Sequence, residues 1–186
     1  MSQRHLLAIA GSLRRDSFNR RLLEAASHCA PPGVNVRIYA ALGRVPLFNE
    51  DDEAAAFAAG PVRELTDSVA AASGLLIATP EYNHSLPGVL KNALDWLSRP
   101  LAREVLREKP VAVIGASAGS WGTRLAQAAL RQVLFATESR VLAGPALYLA
   151  RADAAFDGDG CLTHAGVCAA LRQILESLWS GSRPQS

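Results

Sequence analysis

Short apolar runs alternate with helix-period segments along this whole chain, and that alternation is the feature that most limits its fold. Strands are predicted for five runs: His5 to Ala10, Val34 to Tyr39, Leu75 to Thr79, Val111 to Ala116 and Val141 to Leu149. Strands that alternate with helices at this spacing form a parallel sheet covered on both faces. The sequence therefore predicts an α/β, doubly wound fold with a five-stranded parallel sheet.

The segments between these runs carry apolar residues at helical spacing. Helices are predicted over Phe18 to Ala30, from Pro61 onward, from about Pro87 to Arg99, over Trp121 to Ala136 and around Val167 to Leu178. The stretch 43–60 has no clear period and is predicted to be an irregular connection with an acidic cluster at 50–53. With the strand order 2-1-3-4-5, the ligand crevice lies beside strands one and three.

Length and composition are those of one globular domain. Of the 186 residues 49% are hydrophobic, and residues 1–180 are predicted to form a single domain followed by a loose polar tail, 181–186. A net charge of +2 and the lack of a long apolar run predict no nucleic-acid partner and no membrane partner. Three cysteines at unrelated spacings (Cys29, Cys161 and Cys168) and an N-terminus without a signal-peptide pattern predict a cytoplasmic protein with reduced thiols.

The most informative segment follows the third predicted strand. It reads Pro80-Glu81-Tyr82-Asn83-His84-Ser85-Leu86-Pro87-Gly88 and continues into a helix as Val89-Leu90-Lys91-Asn92-Ala93-Leu94-Asp95-Trp96. Tyr82 offers a flat aromatic ring, Asn83 an amide and Glu81 a carboxylate, and the turn adds backbone N–H groups. This mixture suits a planar heterocycle with polar edges better than it suits a metal ion or a nucleophile.

Two further loops are predicted at the same edge of the sheet. The first, Gly11-Ser12-Leu13-Arg14-Arg15-Asp16-Ser17, opens a helix at Phe18 and Asn19. Its hydroxyls, its arginines and the helix N-terminus can hold a phosphate, although Ser17 can equally be a simple cap beside solvated arginines. The loop has neither GxxxxGK[ST] nor GxGxxG, which argues against a magnesium nucleotide and a Rossmann-type dinucleotide site.

The second of these loops, from Gly115 to Thr123, is rich in small residues that let the backbone approach a ligand edge. Trp121 in this loop can cover a ring face or fill the gap under a neighbouring helix, and packing is the favoured interpretation. A phosphate cradle, an aromatic turn and a donor-rich loop together are what flavin mononucleotide (FMN) requires. His84 can donate a proton to a reduced acceptor, but a surface residue without a fixed role is the favoured interpretation. Lys91 and Asp95 are interpreted as an exposed ion pair, and Trp96 as a packing residue in the core or at a subunit contact.

These motifs resemble those of the NAD(P)H-dependent FMN reductase family. The resemblance rests on Gly11-Ser12-Leu13-Arg14 with Ser17 and Asn19, and on Pro80-Glu81-Tyr82-Asn83 through Lys91-Asn92-Ala93-Leu94-Asp95-Trp96. The family includes bacterial quinone, chromate and azo-dye reductases. It implies a flavodoxin-like fold, bound FMN, and a homodimer or homotetramer. It also implies no metal and no catalytic side chain, because the flavin carries the chemistry.

The resemblance also implies which residues bind the cofactor. The residues implied at the phosphate end are Ser12, Arg14, Ser17, Phe18 and Asn19. Those implied along the isoalloxazine ring are Pro80, Glu81, Tyr82 and Asn83. Those implied near its pyrimidine side are Ser117, Ala118 and Gly119. One departure is Thr123, which follows Gly122 where many members have a second glycine. Thr123 is expected to narrow this loop, and Asp16 is expected to point away from a phosphate.

The implied reaction transfers hydride from NADH or NADPH to the flavin. A quinone, azo compound, chromate or similar small acceptor then takes the place of the nicotinamide, which predicts ping-pong kinetics. Two other classes of protein use the same site: a flavodoxin-like electron carrier and a flavin-dependent sensor, neither of which turns over a nicotinamide. The acceptor, the preferred nicotinamide and the oligomer size stay open at this point, with Arg15 as a candidate contact for the 2′-phosphate of NADPH.

Overall fold

A parallel sheet forms the centre of the molecule in the computed structural model, which describes residues 4–99 and 104–182. Its strands are β1 (Leu6–Ala10), β2 (Val36–Tyr39), β3 (Gly74–Ala78), β4 (Pro110–Ala116), β5 (Arg140–Val141) and β6 (Leu147–Leu149). The order is β2-β1-β3-β4-β5, β6 also pairs with β4, and every pair is parallel. The predicted doubly wound, flavodoxin-like topology and strand order are confirmed.

Helices cover both faces of this sheet. They are α1 (Phe18–His28), α2 (Glu53–Ala58), α3 (Pro61–Ala71), α4 (Gly88–Leu97), α5 (Arg124–Ala136) and α6 (Ala165–Gly181). Leu6 and Ala8 of β1 pack with α1 and α6, whereas Leu7 and Ile9 pack with α3, α4 and α5. Successive side chains of a strand point to opposite faces, so a sheet with two cores needs strands that are apolar throughout.

The prediction of one continuous fifth strand over 141–149 is wrong. Two short strands take its place, with β5 beside the start of β4 and β6 beside its end. Gly144 and Pro145 lie between them. A proline has no N–H to donate to a neighbouring strand, and glycine weakens a strand interior, so the pairing is interrupted there.

The connection over 43–60 is more ordered than predicted. It contains two short 3₁₀ turns, Leu42–Arg44 and Glu50–Asp52, and the helix α2, which begins within the acidic cluster. Acidic side chains near a helix N-terminus are favourable because they face its positive end. Phe57 is the one buried residue of α2, so the segment lacked the apolar period that marks a helix.

Two residues of the long motif attach this connection to α4. The Asn92 amide donates to the Pro46 carbonyl at 2.8 Å and accepts from the Phe48 N–H at 2.7 Å, while the Trp96 indole donates to the Pro46 carbonyl at 2.9 Å. Trp96 is fully buried, which confirms its packing role. Lys91 and Asp95 form the predicted ion pair at 2.6 Å. This part of the motif therefore builds the fold, and Lys91, Asn92, Asp95 and Trp96 are not in the lining of the cavity described below.

The prediction of three reduced thiols is wrong for two of the cysteines. Cys29 and Cys168 form a disulfide with their Cα atoms 5.7 Å apart, and Cys161 is free and exposed. The pair is separated by 139 residues, so no spacing in the sequence indicated it. The packing of α1 beside α6 brings the two cysteines together.

The C-terminal helix continues further than predicted. Because α6 ends at Gly181, that residue is helical and does not begin the loose tail, and residues 183–186 of that predicted tail lie outside the described residues. Neither α6 nor any other helix in the described ranges is both long and apolar enough to cross a bilayer.

Candidate functional site

An open cavity lies at the sheet edge where β1, β3 and β4 end. It is lined by Ser12, Arg14, Ser17, Phe18, Asn19, Pro80, Glu81, Tyr82, Ala116, Ser117 and Ala118. Ten of the twelve predicted site residues are in this lining, together with Ala116, which was not predicted. Asn83 and Gly119 are not in it. The location is the switch point of the sheet, where α/β proteins bind ligands.

The loop between β1 and α1 presents polar groups at a helix N-terminus. The Ser17 hydroxyl caps α1 by accepting from the Arg20 N–H at 3.4 Å, so the simple helix-cap role is real and coexists with a place in the cavity lining. The Arg14 guanidinium donates to the neighbouring Asp16 carbonyl at 2.7 Å and is exposed. The Asp16 carboxylate is exposed and lies 3.9 Å from the Arg21 guanidinium, so it pairs with a cation of its own.

Asn19 lines the cavity but uses its amide inside the protein. Its Nδ2 donates to the Ala116 carbonyl at 2.9 Å, and its Oδ1 accepts from the Ala116 N–H at 2.9 Å. The residue is 2% exposed. These two bonds join the first turn of α1 to the last residue of β4, and a phosphate contact from the same amide would compete with them.

The turn after β3 is tight and rigid. Tyr82 and Ser85 exchange two backbone hydrogen bonds, each 3.0 Å long. Asn83 and His84 between them have φ values of 49° and 63°, and positive φ at both central residues characterises a type I′ turn. Asn83 is exposed at the tip of this turn, which explains why it does not line the cavity. Tyr82 does line it, with 47% of its surface exposed.

Glu81 connects this turn to α5. Its Oε2 accepts from the Leu125 N–H at 2.9 Å and from the Ala126 N–H at 3.0 Å. The side chain is 17% exposed, and Oε1 lies 3.7 Å from Nδ1 of the exposed His84. A carboxylate at this position satisfies helix N–H groups and faces the positive end of the helix dipole. Glu81 therefore has a structural contact that its predicted role beside a ring did not include.

The loop between β4 and α5 is held from beneath. A Cβ atom on Gly115 would lie 1.9 Å from Thr123 Oγ1 and 2.5 Å from the Thr79 carbonyl oxygen, so only glycine fits there. Thr123 is fully buried and its Oγ1 accepts from the Gln127 amide at 3.1 Å. The Thr123 side chain packs under the loop against Gly115, and the expectation that it narrows this loop stays a prediction.

The outer part of this loop is less buried than predicted. Trp121 is 75% exposed, so its interpretation as a packing residue is wrong for the single chain. Gly119 donates its N–H to the Ser117 hydroxyl at 3.0 Å and accepts from the Arg151 N–H at 3.1 Å. Those bonds direct Gly119 toward the segment after β6, and the cavity lining ends at Ala118.

The chemistry of the lining fits FMN. Hydroxyls and a guanidinium at the start of α1 suit a phosphate dianion, because charge-assisted bonds and the helix dipole both favour an anion there. A half-exposed tyrosine on a rigid turn suits one face or edge of a flat ring. The small residues Ser117 and Ala118 leave room for the backbone to approach the polar edge of such a ring.

Known proteins resemble this chain over nearly its whole length. The family model of NADPH-dependent FMN reductases matches residues 4–154. An NAD(P)H-dependent FMN reductase of Pseudomonas aeruginosa is 41% identical over 173 residues, which cover 93% of this chain and 92% of the relative. A 2-hydroxy-1,4-benzoquinone reductase of a Burkholderia species is 40% identical over 155 residues, 83% of each chain.

A solved structure also resembles this chain. FerB, a flavoenzyme NAD(P)H:acceptor oxidoreductase from Paracoccus denitrificans, matches with a TM-score of 0.84 and 31% identity, and the match covers 96% of this chain and 97% of the FerB chain. The chain therefore belongs to the family of NADPH-dependent FMN reductases.

Proposed function

We propose that this protein is a cytoplasmic, FMN-dependent NAD(P)H oxidoreductase that reduces a quinone-type small molecule. The observation that carries the proposal is the convergence of three loops on one cavity, which brings Arg14, Tyr82 and Ala118 together at the switch point of the sheet. Bound FMN would supply the redox chemistry between NADH or NADPH and the acceptor, for which ping-pong kinetics are expected. The protein supplies binding, orientation and electrostatics.

The loop between β1 and α1 holds the phosphate end in this proposal. The groups that bind it are the Ser12 and Ser17 hydroxyls, the Arg14 guanidinium, and the backbone at Phe18 and Asn19, which the α1 dipole makes favourable for an anion. Arg14 is well placed for this role, because its contact with the Asp16 carbonyl leaves further N–H donors of the guanidinium for a ligand. The Asn19 side chain contributes by joining α1 to β4.

In this proposal the other two loops would hold the ring between them. Pro80, Glu81 and Tyr82 form one side, and Asn83 supports them from the tip of the turn. On the pyrimidine side, the Ser117 N–H already donates to the Leu149 carbonyl, and the Gly119 N–H donates to the Ser117 hydroxyl. The Ala118 N–H has no acceptor in the described part of the chain, so we assign the direct bond to the pyrimidine edge to Ala118.

A quinone is the acceptor class that the relatives favour over an azo compound or chromate. The Burkholderia relative, at 40% identity, is named for a benzoquinone. An open cavity with a half-exposed tyrosine suits a flat acceptor that replaces the nicotinamide on the ring. A substrate panel of a benzoquinone, an azo dye and chromate checks this assignment, and we expect the highest kcat/KM for the quinone.

The absorbance spectrum of the FMN-loaded protein tests the proposed function. Recorded without oxygen, the flavin bands are expected to bleach on addition of NADPH or NADH and to return when a benzoquinone is added. The nicotinamide that bleaches them faster is the preferred donor. Bound flavin that neither nicotinamide bleaches would identify an electron carrier or a sensor instead, and failure to take up FMN would contradict the site assignment.

The proposal includes a homodimer or homotetramer. Leu125 and Phe135 lie with Gln132 on one face of α5, and the two apolar side chains are 51% and 82% exposed in the single chain. Covering them with a second copy removes them from water. Sedimentation velocity is expected to show an oligomer for the wild type and a shift toward monomer for Phe135→Glu.

A further inference from the structure

The two walls of the proposed ring site belong to separate loops. Tyr82 comes from the turn between β3 and α4, whereas Ser117 and Ala118 come from the loop between β4 and α5. A flat ring between them needs a fixed separation, because a small displacement of either wall weakens every contact at once. Glu81 is the residue whose side chain spans the two elements.

The first turn of α5 depends on Glu81 for its hydrogen bonds. Thr123 is at the N-cap position but makes no side-chain capping bond, since its Oγ1 is bonded to Gln127. The first N–H groups of a helix have no partner within the helix. The Leu125 and Ala126 N–H groups find theirs in the Glu81 carboxylate, 44 and 45 residues earlier in the chain.

The base of this contact is itself rigid. Glu81 stands between Pro80, whose φ is restricted, and the tight turn closed by Tyr82 and Ser85. The Glu81 side chain is 17% exposed, and it holds both N–H groups with the same oxygen, Oε2. The loop is held at its other end by the Asn19 amide on Ala116. A side chain from the first turn of α1 and one from the turn after β3 therefore hold residues 116–126 in place.

We propose that Glu81 is a positioning residue that fixes the β4–α5 loop against the turn after β3 and so sets the gap for the ring before the cofactor binds. The inference rests on the proposed function only for the identity of the ring. Glu81 acts through the position of Ala118 and Tyr82 and need not touch the reacting atoms.

Amide hydrogen exchange of the FMN-free protein tests the contact itself. The variants are Glu81→Ala and Glu81→Gln, with Glu176→Gln as the matched control, because Glu176 is an exposed carboxylate on α6. In Glu81→Ala, exchange at Leu125 and Ala126 is expected to rise about tenfold or more, since a bond to a charged acceptor is lost. The increase should be confined to residues 116–126, whereas general destabilisation would also raise exchange in the sheet.

FMN affinity, measured by quenching of flavin fluorescence, tests the consequence. Glu81→Ala is expected to bind FMN about tenfold more weakly, and Glu81→Gln about threefold, because the amide oxygen still accepts an N–H bond but without charge. Glu176→Gln should match the wild type in both measurements. If Glu81→Ala does not fold, Glu81→Gln still allows both the exchange and the FMN-affinity measurements.

The two proposals fail in different ways. Unchanged exchange at Leu125 and Ala126, or faster exchange with unchanged FMN affinity, would overturn the positioning role of Glu81. A wild-type protein that takes up no FMN would overturn the proposed function, and exchange at 116–126 would then still decide whether Glu81 fixes this loop.

Discussion

The two sides of the cavity are built in opposite ways. On the proposed ring side, formed by residues 80–85 and 115–123, Glu81 accepts from two N–H groups of α5 and Ala116 is bonded to the Asn19 amide. On the proposed phosphate side, formed by residues 11–17, Leu13 is 60% exposed and the Arg14 guanidinium donates to the nearby Asp16 carbonyl. The proposed ring side therefore has a shape held by internal hydrogen bonds, whereas the proposed phosphate side has the exposed Arg14 guanidinium, which can bind an anion. Substitution of the bonded groups Glu81 and Asn19 should therefore change stability, whereas substitution of the exposed Arg14 should change ligand affinity alone.

The largest expected effect is that of Gly115→Ala on the ring side. The new Cβ would collide with Thr123 Oγ1 and with the Thr79 carbonyl, which forces the backbone apart. We expect the free energy of unfolding to fall by about 3 kcal/mol or more, measured by urea denaturation. Gly88→Ala is the control, because a Cβ on Gly88 meets no atom within 4 Å. Equal stability of the two variants would contradict the close packing under this loop.

Asn19→Ala comes next and tests the junction between the two sides. It removes both bonds to Ala116 and leaves a buried N–H and a buried carbonyl without partners. The expected loss is about 2–3 kcal/mol of unfolding free energy in the FMN-free protein. A variant that lost FMN affinity but no stability would instead assign Asn19 to the phosphate, as the resemblance implied.

Arg14→Ala is the corresponding test on the phosphate side. FMN affinity is expected to fall about tenfold or more, because hydrogen bonds to charged groups are worth about 1.5–3 kcal/mol. The unfolding free energy of the FMN-free protein should stay unchanged, since the side chain is exposed. Arg15→Ala is the matched control, as Arg15 is exposed in the same loop and does not line the cavity. Similar FMN affinities for both variants would remove Arg14 from the phosphate site.

The smallest effect is expected from His84→Gly in the ring turn. His84 has a φ of 63°, a conformation that glycine adopts without the steric cost that other side chains incur. We expect a gain of about 0.5–1 kcal/mol in unfolding free energy. Asn83→Gly should change it less, because asparagine tolerates positive φ. A loss of stability in His84→Gly would show that the 3.7 Å contact with Glu81 outweighs the backbone cost.

Much of the fold was predictable because its signals are local. Strand and helix periods can be read within a few residues, and alternating strands and helices admit few topologies. The predictions of structure failed where the local sequence pattern was absent or interrupted. The helix α2 buries only Phe57, the fifth strand is interrupted at Gly144 and Pro145, and the disulfide between Cys29 and Cys168 joins distant segments.

The sequence by itself determined which loops form the site and which residue types they bring to it. A parallel sheet with this strand order places the ends of β1, β3 and β4 at one edge whatever the details of packing. Only the tertiary structure decided how each polar group is used. The Asn19 amide and the Glu81 carboxylate were predicted to contact the ligand. In the structure the Asn19 amide bonds to Ala116, and the Glu81 carboxylate bonds to α5. The reason is physical: a buried hydrogen-bonding group binds whichever partner the fold brings within reach, and sequence motifs do not specify distances between residues far apart in the chain.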